Sequence, residues 1–149
     1  MDKASLHRAR KTALLAALLA APFWSTAKAS ACCPTDPNTK PAASGMGLSA
    51  PLAADVSADS AWHVYPFERD GIPYLQVNDL NGIARIAVGY ADGVFWALPI
   101  GTDKVSTPLR PITAPAGSTR TVVYRSPDIE VAVYVGGGTV LWSVAKPTP

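Results

Sequence analysis

Three segments of the chain repeat one pattern at a spacing of eleven residues. They are DGIPYLQVND from Asp70, NGIARIAVGY from Asn81 and DGVFWALPIG from Asp92. Each opens with Asp-Gly or Asn-Gly, which tolerate the positive φ angles of two-residue hairpin turns, and continues into an apolar, β-prone run. The pattern therefore predicts a β-meander. Its strands are expected at residues 62–68, 72–79, 83–90 and 94–100.

A second group of strands is predicted after a proline-rich loop at residues 106–118. In the segment DIEVAVYV, aliphatic side chains alternate with Glu130, Ala132 and Tyr134, as in a strand with one buried face. The segments TRTVVYRS and TVLWSVAK are similarly apolar and β-prone. The domain at residues 62–146 is thus expected to be all-β, a small antiparallel meander of about seven strands. It would form a sandwich or a partly open barrel and end in a short tail, residues 147–149.

The first 31 residues have the features of an export signal. A basic segment precedes the apolar run ALLAALLAAPFW, and the A-x-A cleavage rule is satisfied at Ala29 and again at Ala31. The apolar run is shorter than the roughly 20 residues that a membrane-spanning helix needs. We therefore expect residues 1–31 to be a signal peptide and the mature protein to be periplasmic or secreted.

Removal of this leader reverses the net charge. The whole chain has a formal net charge of +2, but from Cys32 onward eight Lys and Arg face ten Asp and Glu. The mature protein would carry a net charge of about −2, and its cations are scattered. Nucleic acid is therefore not expected as a partner, because a basic patch or run is missing from the sequence.

Cys32 and Cys33 are the only cysteines of the chain. Cleavage after Ala31 would put Cys32 at the first mature position, where a bacterial lipoprotein carries its lipid. However, Ala29 stands where lipoprotein signals usually have a large aliphatic residue. We expect a free product, with a structural lipoprotein anchored to the membrane through Cys32 as the alternative. A metal site is not expected, because adjacent cysteines lack ligand spacing and only His63 follows them.

Residues 32–61 are rich in Pro, Ala, Ser, Gly and Asp and poor in aromatic residues. Such a composition buries too little apolar surface to offset the entropy lost on ordering. This segment is therefore expected to be a flexible linker between the leader and the β-domain.

The β-domain carries few residues suited to catalysis. His63 is its sole histidine, no G-x-S-x-G motif occurs, and both cysteines precede it. The least favoured alternative is a carboxylate-dependent hydrolase, whose candidate residues would be Glu68, Asp70, Asp79 and Asp92. Asp70 and Asp92 are already explained by turn formation. We therefore expect no enzymatic activity, no cofactor and no metal.

Aromatic side chains give the best indication of a binding site. Tyr90, Phe95 and Trp96 flank the Asp92-Gly93 hairpin, and strand alternation puts Phe95 and Trp96 on opposite faces. An aromatic surface that the domain leaves uncovered would be available to a partner. We expect a non-catalytic binding module of the bacterial cell envelope, with an envelope protein or glycan as partner and these three aromatic residues as its binding site. The sequence carries no signal for an oligomeric state.

Overall fold

The structure is a computed structural model that describes residues 41–148. Within these residues the chain forms eight β-strands and no helix, so it contains no helical segment that could span a bilayer. The strands are β1 (Trp62–Arg69), β2 (Ile72–Asp79), β3 (Ala84–Ala91), β4 (Val94–Ala97), β5 (Lys104–Ser106), β6 (Thr119–Arg125), β7 (Glu130–Gly136) and β8 (Thr139–Ala145). The predicted signal peptide and Cys32 lie outside the described residues, as does the first part of the predicted linker.

The first sheet is the meander that the repeated segments predict. Its four strands pair antiparallel in the order β1-β2-β3-β4. Asp70 and Asp92 adopt positive φ angles of 53° and 49°, and the glycines that follow them have φ angles of 75° and 78°. These are the turns that Asp-Gly favours, because their twist matches that of the flanking strands. The two Asp-Gly dipeptides thus form the β1–β2 and β3–β4 hairpins.

The turn between β2 and β3 differs from these two hairpins. Asp79 accepts hydrogen bonds from the amides of Asn81 and Ile83, both at 3.0 Å, so its carboxylate organises the turn. The strand β3 accordingly begins at Ala84, one residue later than predicted. A β-bulge between β2 and β3 accompanies this longer connection.

The second sheet has the strand order β5-β8-β7-β6. Its antiparallel strands β6, β7 and β8 are the three that the sequence predicts after the proline-rich loop. β5 pairs parallel with β8, and its three residues are too few to show an alternating pattern. The chain therefore has eight strands where about seven were expected, and it is not antiparallel throughout. β4 ends at Ala97 rather than at residue 100.

The two sheets pack against each other around one hydrophobic core. This core contains Val56, Val64, Leu75, Val77, Ile86, Val88, Phe95, Val123, Ile129, Val131, Val133, Trp142 and Val144. Trp142 is fully buried, and its ring meets that of Trp62 edge to face at a centroid distance of 4.8 Å. The prediction of an all-β fold is confirmed, and the two sheets are open rather than closed into a barrel.

Residues 41–61, here called the N-terminal strap, lie against the first sheet. Gln76 accepts a hydrogen bond from the amide of Gly47 at 2.6 Å and donates to the carbonyl of Leu48 at 2.8 Å. Asn78 donates to the same carbonyl at 3.3 Å, and both amide side chains are fully buried. These bonds hold part of the segment that the sequence predicts to be a flexible linker against β2. Two polar side chains of β2 supply hydrogen-bond partners for strap backbone groups. The composition of the strap alone does not reveal these contacts.

Candidate functional site

The structure puts Tyr90 and Phe95, two of the three predicted binding residues, together on the core side of the first sheet and Trp96 on its outer face. Phe95 is 4% exposed and belongs to the hydrophobic core. Tyr90 packs against the same core and stacks on Phe95, with ring centroids 6.4 Å apart and an interplanar angle of 21°. Trp96 points to the other face of β4, where it meets Tyr74. Two of the predicted residues therefore face the core, and the third lies on the outer face of the first sheet.

Trp96 is part of an aromatic row across that outer face. Its indole meets the ring of Tyr74 edge to face at 6.2 Å and lies over Gly89, the residue opposite it on β3. Phe67 is opposite Tyr74 on β1 and continues the row. Phe67 and Tyr74 also line a cleft of about 530 Å³ together with residues 43–46 of the strap. The strap thus leaves part of the row covered and part of it accessible.

The free edge of β1 is blocked by the strap. Pro66 has no amide, and its carbonyl accepts a hydrogen bond from the amide of Ala42 at 3.1 Å. Ala42 in turn accepts from the amide of Glu68 at 3.0 Å. The amide of Val64 donates to the carboxylate of Asp55 at 2.9 Å, and its carbonyl accepts from another strap amide. Open strand edges invite pairing with other chains, and blocking of this kind prevents it.

Both edges of the second sheet are also protected. β6 carries Arg120 and Arg125, which pair with Glu130, and the Val123 carbonyl accepts a hydrogen bond from a strap amide at 2.8 Å. β5, at the other edge, has only three residues and begins with Lys104. Charged side chains and short length both disfavour edge-to-edge pairing.

β4 has only four residues, but it is the edge strand that carries neither a strap segment nor a charged side chain. Its sequence VFWA has neither a charge nor a proline, and Val94 is 46% exposed. The amide of Leu98 donates to the carbonyl of Ala87 at 2.8 Å. Because bonding alternates along an antiparallel pair, the amides and carbonyls of Phe95 and Ala97 point away from β3. Among the described residues, no other segment supplies a backbone hydrogen bond to these four groups.

A groove of about 420 Å³ runs beside this edge, between β4 and β5. We call it the β4 groove, and its lining consists of residues 94–98, Ile100, Gly101, Asp103, Val105, Thr107, Leu109 and Arg110. Most of these residues are apolar. The unpaired backbone groups of β4 and this groove therefore lie side by side, which makes this region the candidate functional site.

One wall of the groove contains a carboxylate, Asp103, whose charge is neutralised. Arg85 on β3 donates to its two oxygens at 2.9 Å and 2.8 Å. The indole Nε1–H of Trp142 on β8 donates to Asp103 at 2.9 Å. The hydrogen bond with Asp103 raises the pKa of the Arg85 guanidinium above its ordinary value. This single carboxylate therefore ties the two sheets together next to the groove.

A second cleft, of about 570 Å³, opens at the Asp92-Gly93 hairpin, where the binding surface was predicted. Tyr90, Asp128 and Lys146 line it. Burial raises the pKa of the Tyr90 hydroxyl to about 12, and the nearby Tyr124 and Asp128 act in the same direction. The hydroxyl is thus protonated at neutral pH. Of the three predicted aromatic residues, this cleft contains Tyr90 but not Phe95 or Trp96.

Three of the four carboxylates considered for hydrolysis are engaged in local turn structure. Asp70 and Asp92 occupy positive-φ turn positions, and Asp79 caps the β2–β3 turn. His63 bonds through Nδ1 to Asp55 of the strap at 2.7 Å. Within residues 41–148, no group of three or more His, Cys, Asp or Glu side chains is placed to hold a metal ion.

Comparison with protein-family models, curated proteins and solved structures finds no match to the chain. The sequence predicted Phe95 and Trp96 as site residues. It did not indicate that the backbone amides and carbonyls of Phe95 and Ala97 are unpaired. The one available signal for an unprotected strand was the lack of charge, because β4 and β8 are the two described strands without a charged residue. Only the topology tells them apart, since β8 lies between two strands and β4 lies at an edge.

Proposed function

We propose that the protein is a non-catalytic binding module of the bacterial cell envelope that binds an extended segment of another protein. The segment would add to β4 as a fifth strand of the first sheet. The contrast between edges carries this proposal: β1, β5 and β6 are each protected, whereas β4 is apolar and has outward-facing amides and carbonyls. Addition of a strand to an open sheet edge is a common mode of peptide recognition.

The β4 groove would give this binding mode its selectivity. A strand added to β4 bonds to the main chain of Phe95 and Ala97, and its side chains alternate between the two faces of the sheet. Side chains on one face would enter the groove, and those on the other face would meet the indole of Trp96. The main-chain bonds would supply affinity, and the two rows of side chains would select the sequence.

A protein partner is favoured over a glycan by the same groups. The outward-facing groups of Phe95 and Ala97 alternate donor and acceptor at the spacing of a β-strand. An extended polypeptide presents the complementary groups at the same spacing. A saccharide has hydroxyl groups that are not arranged with this repeat.

The predicted export would put the partner in the cell envelope. The predicted signal peptide at residues 1–31 would carry the module out of the cytoplasm. Lipidation of Cys32 would hold the same module at a membrane without changing its binding edge. The intact mass of the native protein separates the two forms, because the lipoprotein is heavier by a diacylglycerol and an acyl chain.

A proline at position 97 tests the proposal. Ala97→Pro removes an outward-facing amide but no hydrogen bond to β3, so the fold should tolerate it. Ala97→Ser is the matched control, because it changes the side chain and keeps the amide. Both changes are made in a protein carrying the photo-crosslinker benzoylphenylalanine at Val94, and crosslinking is performed in living cells. A crosslinker at Leu52, which is 97% exposed on the strap, controls for random encounters.

We expect a discrete adduct from position 94 that Ala97→Pro abolishes and Ala97→Ser retains. Mass spectrometry of the adduct should identify one short segment of the partner. An unchanged adduct in a folded Ala97→Pro protein would rule out strand addition. An adduct of twice the protein's own mass would show that β4 pairs with a second copy, which contradicts a separate partner.

A further inference from the structure

We infer that the segment bound at β4 is acidic: an extended apolar stretch with at least one Asp or Glu, whose carboxylate is bound by Arg110. This inference rests on the proposed strand addition and specifies the chemistry of the partner. It follows from the pairing of the arginines, from the loop that holds Arg110 and from the net charge of the β4 groove.

Arg110 differs from the other described arginines in its pairing. The four others each have a carboxylate partner: Arg69 with Asp70, Arg85 with Asp79 and Asp103, and Arg120 and Arg125 with Glu130. No carboxylate of the described residues lies within 4.0 Å of the Arg110 guanidinium. A guanidinium matches a carboxylate through two parallel hydrogen bonds, so this group is suited to an external acid.

The backbone of Arg110 is held in place by a tight turn. Thr107 is buried, its amide donates to the carbonyl of Arg110 at 3.2 Å, and its carbonyl accepts from the amide of Arg110 at 3.0 Å. Arg110 itself is exposed and lines the β4 groove. The attachment point of the side chain is therefore fixed, which lowers the entropy lost when the guanidinium binds a ligand.

The net charge of the β4 groove is positive. Asp103 is the other charged residue of the lining, and its bidentate pair with Arg85 neutralises it. The remaining lining residues are uncharged. A carboxylate within an otherwise apolar strand is thus the complementary ligand.

Titration with designed peptides tests this inference. The probes are eight-residue peptides of alternating Thr and Val, acetylated and amidated, with Glu, Gln or Lys at one terminus. Each is made with the variable residue at either end, because the direction of the added strand is not fixed in advance. Binding to the ¹⁵N-labelled exported protein is followed through the amide shifts of Phe95 and Ala97.

We expect the better Glu peptide to bind roughly fivefold more tightly than its Gln counterpart at low salt, and the Lys peptide to bind more weakly still. Arg110→Gln should remove the preference, and Arg110→Glu should reverse it towards Lys. Arg69→Gln is the matched control, because it removes the same charge from β1 at the opposite edge of the sheet, and it should keep the preference.

The outcomes separate this inference from the proposed function. Equal binding of the Glu, Gln and Lys peptides, with clear shifts at Phe95 and Ala97, would overturn the acidic preference and leave strand addition standing. A preference that persists in Arg110→Gln would also overturn it. If no peptide shifts these two amides, strand addition fails and the inference fails with it.

Discussion

The indole of Trp96 occupies the space that a Cβ atom at Gly89 would need. The two residues lie opposite each other on β4 and β3, and an ideal Cβ at position 89 would lie 2.5 Å from the indole ring. Gly89→Ala should therefore push the indole off the sheet and lower the free energy of unfolding by about 1–3 kcal/mol, the usual cost of overpacking. Urea titration measures this loss.

The double variant provides the control for this prediction. In a Trp96→Ala background the space above position 89 is free, so Gly89→Ala should be neutral or stabilising, since alanine restricts the unfolded chain more than glycine. A full penalty for Gly89→Ala in that background would show that the backbone of β3, and not the indole, demands glycine.

The two neighbouring aromatic residues of β4 should respond differently to truncation. Phe95 belongs to the core, so Phe95→Ala should cost about 3–5 kcal/mol of unfolding free energy. Trp96 is only partly buried on the outer face, so Trp96→Ala should cost less while weakening capture of the partner. Chemical denaturation of both variants makes the comparison. Equal losses would mean that the outer face is packed as tightly as the core, and Trp96 would then be unavailable to a ligand.

Local turn chemistry explains why much of the first sheet could be predicted. The Asp70-Gly71 and Asp92-Gly93 dipeptides fix two-residue turns, and a turn of fixed length sets the register of the strands on both sides. The predicted start of β3 was one residue too early because the carboxylate of Asp79 organises a longer turn between β2 and β3. A side chain that bonds to the backbone ahead of it leaves no periodic signal in the sequence.

Contacts between distant segments explain what could not be predicted. β5 is a strand only because β8 lies beside it, with paired residues 37 positions apart in the chain, and its own three residues carry no pattern. The strap is ordered by Gln76 and Asn78, whose side chains look like ordinary outward-facing residues of an alternating strand. The candidate site depends on the same kind of information, because the position of β4 at an edge is a property of the whole topology.

Removal of the Asp103 carboxylate should weaken the attachment of the two sheets. Asp103→Ala leaves Arg85 and the indole of Trp142 without their shared acceptor, and we expect a loss of about 3 kcal/mol in unfolding free energy. Asp103→Asn keeps an acceptor oxygen and should cost less. Thermal unfolding of the two variants gives the order. If alanine and asparagine were equivalent, the charge rather than the hydrogen bond to Trp142 would carry the stabilisation.

Gln76 should control whether the strap stays on the sheet. Gln76→Leu preserves the volume of the side chain but leaves the amide of Gly47 and the carbonyl of Leu48 without their partner. Each buried polar group left unsatisfied costs about 1–3 kcal/mol, so the strap should detach before the domain unfolds. Limited proteolysis should then cut near residues 47–49 faster than in the parent protein. Leu52→Ala, an exposed strap change, should leave the cleavage rate unaltered.

The carboxylate of Asp55 should make the strap contact sensitive to acid. His63 bonds to Asp55 at 2.7 Å, and the amides of Val64 and Ser57 donate to it at 2.9 Å each. Partial burial works to raise the pKa of Asp55, but these hydrogen bonds outweigh it, so the pKa lies below its ordinary value of 3.8. The unfolded chain therefore takes up the proton at a higher pH than the folded one.

The sign of this linkage sets the direction of the pH effect. Above about pH 4 the carboxylate is ionised in both states and its stabilisation is fully present; it is lost as the pH falls through the lowered pKa of the folded state. Carboxyl-detected NMR should give a titration midpoint for Asp55 below pH 3.8. At pH values below this midpoint, the amide of Val64 should exchange faster. Asp55→Asn should remove this step while leaving exchange at Phe95 and Ala97 unchanged. A midpoint at or above 3.8 would mean that burial, and not hydrogen bonding, dominates at this site.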